Sequence, residues 1–314
     1  MDTKKSRYLF VFIGVLATSL LASCSVKRLA TAKADRYLQR ADATVDTLSI
    51  GETTMEYRMC GKGEDTLLLI HGFGPLPHVQ WEHQIKLLSD SAVLIIPNLI
   101  YFGASTSTSG EYSPHFQADQ LARLLDHLSI EKVHVAGFSY GGLVSTLFSQ
   151  RYAARTHDLI LIDALNPYYS QATADSIAQS FQKAHITELL IPQDAEAVKE
   201  IFSITYYKPQ WYPKSIRKKV VKQLYSNQID HKKELISWLE KNESQLKSTN
   251  LVFDFDVTLI WGKEDQVIPL YTGHEFARNH GATIHVISET GHAANMEAPE
   301  ITNSIIKTVL QRAE

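Results

Sequence analysis

The sequence predicts an α/β fold: a mostly parallel central sheet covered by helices on both faces and interrupted by a helical insertion. Three observations carry this. Six short apolar runs are mostly continuous rather than alternating, as strands buried on both faces require. Segments with helical apolar spacing lie between them, which argues for parallel crossovers. One long stretch, residues 166–250, contains no such run. The 314 residues are 44% hydrophobic and 21% charged, which suits a large buried core and excludes a mainly disordered chain.

In chain order, the first element is an address. Lys4, Lys5 and Arg7 precede fifteen uncharged residues, Tyr8 to Ala22. That run is shorter than the roughly 20 residues of a transmembrane helix but suits a signal peptide. Leu21-Ala22-Ser23-Cys24 follows and resembles a bacterial lipobox. The resemblance implies cleavage after residue 23 and lipidation of Cys24, so that acyl chains hold the protein on a membrane. Residues 24–45, mixed in charge, are expected to form a tether, helical in part.

The strands follow. Thr53 to Met59 reads as a first strand. The apolar runs are 66–70, 92–96, 133–136, 159–162, 257–260 and 283–287. Phe116 to Leu128 places Leu121, Leu124, Leu125 and Leu128 at helical spacing, Leu143 to Tyr152 follows the third run, and Ile301 to Leu310 closes the chain. The core is therefore expected at 46–165 and 251–314, with residues 166–250 as a helical cap. The cap holds an aromatic cluster, Tyr206, Tyr207, Trp211 and Tyr212, expected to line a substrate pocket over the sheet. It also holds a basic run of Lys208, Lys214, Arg217, Lys218, Lys219 and Lys222, which reads best as a solvated helix face.

Chemistry concentrates at the ends of the runs. Gly137-Phe138-Ser139-Tyr140-Gly141 is G-x-S-x-G between a strand and a helix. Such a sharp turn exposes the serine hydroxyl at a helix start. A serine needs a base to become a nucleophile. His292, after the last run and behind Gly291, is the candidate. Asp265, after the 257–260 run, is the candidate to orient it, with Glu264 and Asp163 as weaker alternatives. The order Ser139, Asp265, His292 differs from that of chymotrypsin-like and subtilisin-like enzymes. Backbone N–H groups of Tyr140 and of Phe73, in His71-Gly72-Phe73-Gly74, are placed to receive an oxyanion. Losing one such donor costs about 2.7–4 kcal/mol of barrier in other enzymes. His71 is read as holding that loop.

These segments together resemble the α/β-hydrolase superfamily over residues 45–312. Leu68 to Gly74, Pro97 to Ser105, the Ser139 turn, Leu259 to Pro269 and Gly291 to Glu297 match in order. The likeness is nearest to serine hydrolases grouped with monoacylglycerol lipases and carbon–carbon bond hydrolases. It implies the α/β-hydrolase fold, a Ser139–His292–Asp265 triad and hydrolysis through an acyl-enzyme. Carbon–carbon bond, thioester or lactone hydrolysis and perhydrolysis are alternatives on the same residues, and a non-catalytic binding lipoprotein is another. Asn98 stands where the family usually has Asp, a structural position.

Other classes are set aside. Net charge is −3, with no basic footprint for nucleic acid. Two cysteines, Cys24 and Cys60, support neither a disulfide framework nor a four-cysteine zinc site. No cofactor and no metal are expected. The expected partners are a small-molecule ester or acyl substrate and, through the lipid anchor, a membrane. The expected location is the bacterial cell envelope, on the outer membrane facing the periplasm.

Overall fold

The structure, a computed structural model, describes residues 25–312. Nine strands form one sheet among them: β1 (Thr44–Ile50), β2 (Thr53–Gly61), β3 (Asp65–Ile70), β4 (Ala92–Pro97), β5 (Thr106–Ser107), β6 (Val133–Phe138), β7 (Thr156–Ile162), β8 (Val257–Gly262) and β9 (Thr283–Ile287). Their spatial order is β1-β2-β4-β3-β6-β7-β8-β9, with β5 beside β2. β1, β2 and β5 pair antiparallel; every pair from β4 to β9 is parallel. The apolar runs of the sequence are the parallel strands.

Alternation along each strand builds two cores. Leu68, Ile70, Ile95, Val135, Leu161 and Leu259 face one side, with Leu121, Val144 and Phe148 from the helices Pro114–His127 and Tyr140–Arg151. Leu67, Leu69, Leu94, Ile96, Ala136 and Ile260 face the other, with Trp81, Ile85 and Ile306. Successive strand residues point to opposite faces, so helices on both sides are needed to bury both sets. Cys60 belongs to the second core, and burial pushes its thiol up to about 11, as for a small apolar filler.

Within the stretch expected as a partly helical tether, Val26–Arg40 is a helix, α1, capped by Ser25, and it packs on the body of the protein. Leu38 packs into the core beside Trp81, and Val26 packs on Val198 and Val220 of the cap. Lys33 pairs with Glu82 at 2.7 Å. The apolar stripe of α1 is narrow and made partly of alanine, Val26, Ala30, Ala34 and Leu38 at four-residue spacing, so its charged remainder dominates the sequence pattern. Cys24, the expected lipid attachment site, lies outside the described residues. No described helix is long and apolar enough to cross a membrane.

Between β7 and β8 the chain forms only helices: α2 (Gln171–Ser180), α3 (Thr187–Leu190), α4 (Ala195–Thr205), α5 (Lys214–Val220), α6 (Ile229–Lys241) and α7 (Glu243–Lys247), with a π-helical turn at Val221–Tyr225. Polar contacts fasten this cap to the core. Asn227 Nδ2 donates to Gly103 O at 2.9 Å, and His231 stacks on Tyr101 with ring centroids 4.5 Å apart. Lys232, buried there with the Asn227 carbonyl and the Phe102 ring beside its ammonium, is pushed down to about 8 by desolvation.

Candidate active site

The parallel strands end along one edge of the sheet, and each end carries a group of the site. Ser139 follows β6 with φ 55° and ψ −124°, a strained conformation held by its neighbours. Ser139 N donates to Ile162 O at 3.0 Å, and Ser139 O accepts from Leu165 N at 2.9 Å. Gly141 is required here, since a Cβ would fall on the carbonyl oxygens of Ile70 and His71. This turn aims Oγ at the edge of the sheet.

His292 Nε2 lies 2.8 Å from Ser139 Oγ, and His292 Nδ1 lies 2.9 Å from Asp265 Oδ2. A carboxylate only accepts, so the Nδ1 proton donates to Asp265 and Nε2 accepts from the serine hydroxyl. Asp265 is fixed in turn: its Oδ1 accepts from Val267 N at 2.8 Å and Ile268 N at 2.9 Å. Burial opposes charge on His292, but the charge and hydrogen bond of Asp265 are the main effects that outweigh it, and its pKa is raised.

Asp163, the weaker acid candidate, does something else. It accepts from Gly262 N at 2.7 Å and from Ala294 N at 2.8 Å, tying the loop after β8 to the histidine loop. Complete burial and the nearby Asp265 push its carboxyl up to about 8. Glu264 likewise accepts from backbone, Thr290 N at 3.0 Å.

The loop after β3 lies against the serine. A Cβ on Gly72 would come within 2.7 Å of Ser139 Cβ. Neither Phe73 N nor Tyr140 N finds an acceptor among the described residues, and both residues border the space around Ser139. His71 is buried, donates from Nδ1 to Gly72 O at 2.8 Å and accepts from Leu99 N at 2.9 Å. Burial lowers it to about 4, so it stays neutral and holds the loop. Asn98 also holds backbone geometry, donating to Glu56 Oε1 at 2.8 Å.

The cap aromatics divide. Tyr206 and Tyr212 line a cavity that reaches Ser139 and His292. Tyr207 is 39% exposed and Trp211 75% exposed, and neither lines a cavity at Ser139. Of the four residues expected to line a pocket, Tyr206 and Tyr212 border this cavity and Tyr207 and Trp211 do not. Pro209 and Pro213 bracket an irregular loop, so adjacency in sequence fixes no common direction. In the basic run, Arg217 donates to Ala195 O and Tyr212 O, and Lys208 pairs with Glu289.

Two further residues hold the site: Gln80, which carries no sequence motif, and Glu297, which closes the Gly291–Glu297 segment without having been singled out. Gln80 Oε1 accepts from Gly72 N at 2.9 Å, while Gln80 O accepts from Asn295 Nδ2 at 2.6 Å, linking the loop after β3 to the histidine loop. Glu297 accepts from Gly291 N at 2.7 Å and Tyr207 N at 2.9 Å, and His292 N donates to Thr205 O at 2.7 Å. The cap is therefore bonded directly to the histidine loop. Only the closeness of Glu297 to Gly291 in sequence offered a signal. Among the described residues, no group of three or more His, Cys, Asp or Glu side chains could hold a metal ion.

A strand–turn–helix serine and a buried His–Asp pair at the ends of parallel strands define a class of hydrolase scaffold. The profile of the α/β-hydrolase fold family matches residues 65–299, and the chain belongs to that family. Lipase 1 of Psychrobacter immobilis is 26% identical over 261 residues, 82% of this chain and 80% of that protein. A 2-hydroxy-6-oxononadienedioate/2-hydroxy-6-oxononatrienedioate hydrolase of Escherichia coli K12 is 23% identical over 287 residues, covering 87% and 98%. Among solved structures, a membrane phospholipase A described as a bacterial virulence factor superposes with a TM-score of 0.76 at 20% identity, covering 98% and 99%. Family and relatives support hydrolase activity on ester or carbon–carbon bonds.

Proposed function

We propose that the protein is a serine hydrolase of carboxylic esters working through Ser139, His292 and Asp265. The observation that supports it is the unbroken hydrogen-bonded chain from Ser139 Oγ through His292 to Asp265. Oγ attacks the ester carbonyl as its proton passes to His292 Nε2, and Asp265 stabilises the imidazolium. The Phe73 and Tyr140 N–H groups receive the oxyanion. Collapse breaks the ester C–O bond, with the Nε2 proton going to the leaving alcohol. Water, deprotonated by His292, then releases the acid from Ser139.

Carbon–carbon hydrolysis is the second reading, favoured by the dienedioate hydrolases among the relatives. The substrates named for those relatives are dicarboxylates. Here the cavities beside Ser139 are walled mainly by apolar side chains, and the one lysine among their lining residues, Lys247, is paired with Glu243. Buried carboxylates need partners, so the ester reading fits better. A fluorophosphonate probe with an ester panel tests it. The parent should label and hydrolyse, and Ser139→Ala should do neither. Hydrolysis by the variant above a few per cent of the parent rate would overturn the assignment.

The same proposal places the protein in a bacterial cell envelope, held by lipid on Cys24. It rests on the Leu21–Cys24 pattern. Cys24→Ala should abolish incorporation of labelled palmitate in cells; retained label would move the modification elsewhere.

A further inference from the structure

Ser139 stands where two cavities meet. One, about 120 Å³, is lined by Tyr140, Leu143, Leu165 and Ile236. The other, about 350 Å³, is lined by His292, Met296, Tyr206, Tyr212 and Tyr225, and by Ala30 of α1. Phe73, Ser139, Leu190 and Val267 border both.

We propose that the smaller cavity takes the acyl part of the substrate and the larger takes the leaving alcohol. The substrate class is then an ester of a short apolar acid with a bulky, largely apolar alcohol. This rests on the acyl-enzyme reading of Ser139.

The assignment follows from the tetrahedral centre. After attack, the carbon carries Oγ, the oxyanion, the acyl chain and the alcohol oxygen. The oxyanion faces the Phe73 and Tyr140 N–H groups. The alcohol oxygen must accept the proton from His292 Nε2, so it lies on the histidine side. Of the two cavities, only the larger is lined by His292. The acyl chain is left with the cavity behind Tyr140. A cavity of roughly 150 Å³ holds a benzene ring, so the smaller one accepts about four to six carbons. The larger one mixes apolar walls with the phenols of Tyr206, Tyr212 and Tyr225 and the amide of Gln80, and so tolerates a few oxygens on the alcohol. Ala30 makes the N-terminal helix part of this wall, and the packing of Val26 on Val198 and Val220 holds it there.

The two cavities act at different steps, which makes the proposal testable. The alcohol has left before deacylation begins; the acyl group is present throughout. Ala30→Phe, which narrows the larger cavity, should lower kcat/KM for 1-naphthylmethyl butyrate at least tenfold more than for methyl butyrate. It should leave the decay of the butyryl-enzyme, read from the burst with 4-nitrophenyl butyrate, at the parent rate. Ile236→Ala, which lengthens the smaller cavity, should move the optimum among methyl esters from butyrate or hexanoate toward octanoate and change butyryl-enzyme decay. Ala30→Val gives the same signs as Ala30→Phe with less crowding, and fluorophosphonate labelling reports that each variant is folded. Slower deacylation in the Ala30 variants, or an altered alcohol preference with unchanged acyl preference in Ile236→Ala, overturns the assignment. So does a parent that prefers dodecanoate to butyrate. A parent that neither labels nor shows a burst overturns the serine-esterase reading instead, and this inference with it.

Discussion

The sheet core and the cap solve the same burial problem differently. In the core, Leu68, Ile95, Val135, Leu159 and Leu259 are fully buried in neighbouring strands, and the strand ends present Ser139, His292 and Asp265. In the cap, α4 buries Ala195, Ala197, Val198, Ile201 and Ile204 and α6 buries Lys232, Leu235 and Ile236, while the other residues of each helix are more exposed. Groups that must be held to fractions of an ångström sit on ladders of backbone hydrogen bonds. Groups that only shape a volume sit on short helices, where a change of side chain leaves the chemistry untouched. Substitutions in the core should therefore change turnover, and those in the cap should change preference.

The largest effect expected in the core is from Asp265→Asn. An amide reverses the donor–acceptor match with Nδ1 and misorients His292; the equivalent change in a chymotrypsin-type enzyme costs about 10⁴ in turnover. Asp163→Asn should cost turnover far less and stability more. The amide accepts only one of the Gly262 and Ala294 N–H bonds well, leaving a buried donor unpaired at about 1–3 kcal/mol. Turnover and urea denaturation of both variants check the pair, and the reverse ranking of turnover would move the acid to Asp163. In the parent, His292 must be neutral to accept the serine proton. Its raised pKa puts the acid limb of kcat/KM above the ordinary histidine value of about 6.5, with activity lost as pH falls through it.

Gln80→Leu should have an intermediate effect. Gly72 N loses its acceptor and the loop carrying Phe73 N slackens. The loss in kcat should be roughly tenfold, a fraction of the 10²–10³ that removal of an oxyanion donor costs. A positioning role separates from a general structural one in three readouts. KM should stay near the parent value, affinity for a boronate analogue should fall in step with kcat, and Gln80→Glu, which still accepts from Gly72, should restore much of the rate. Equal losses in all variants together with a lower Tm would mean that Gln80 only stabilises the fold.

The contrast also explains what could be read from the sequence. Parallel strands buried on both faces write themselves as apolar runs, and a turn as tight as that at Ser139 admits few residues besides glycine beside it, so both were legible. So was the order of Asp265 and His292 behind it. The packing of α1 was not, because its contacts use alanines among charges. β1 was not, because its residues stay largely exposed on both faces. Gln80 was not, because a side-chain amide that bonds the backbone of a distant loop, as Gln80 does at Gly72, has no required spacing. The division of the cap aromatics was not, because an irregular loop has no period to translate sequence into direction.

That last point yields the smallest predicted effect. Trp211 lies in the same loop as Tyr212, one residue away, yet is 75% exposed while Tyr212 lines the larger cavity and packs its ring 5.8 Å from that of Phe202. Trp211→Ala removes no buried surface around Ser139. Stability should stay within about 0.5 kcal/mol of the parent. Values of kcat/KM for acetate, butyrate and octanoate esters of one alcohol should keep their parent ratios. Tyr212→Ala, by contrast, enlarges the cavity assigned to the alcohol and should raise kcat/KM for larger alcohols relative to methanol at constant acyl chain. A loss in Trp211→Ala that grows with acyl length, by up to about 0.8 kcal/mol per methylene, would mean that the ring folds over the acyl chain. The cap would then close on its substrate, and a neighbour in sequence would be a neighbour in function after all.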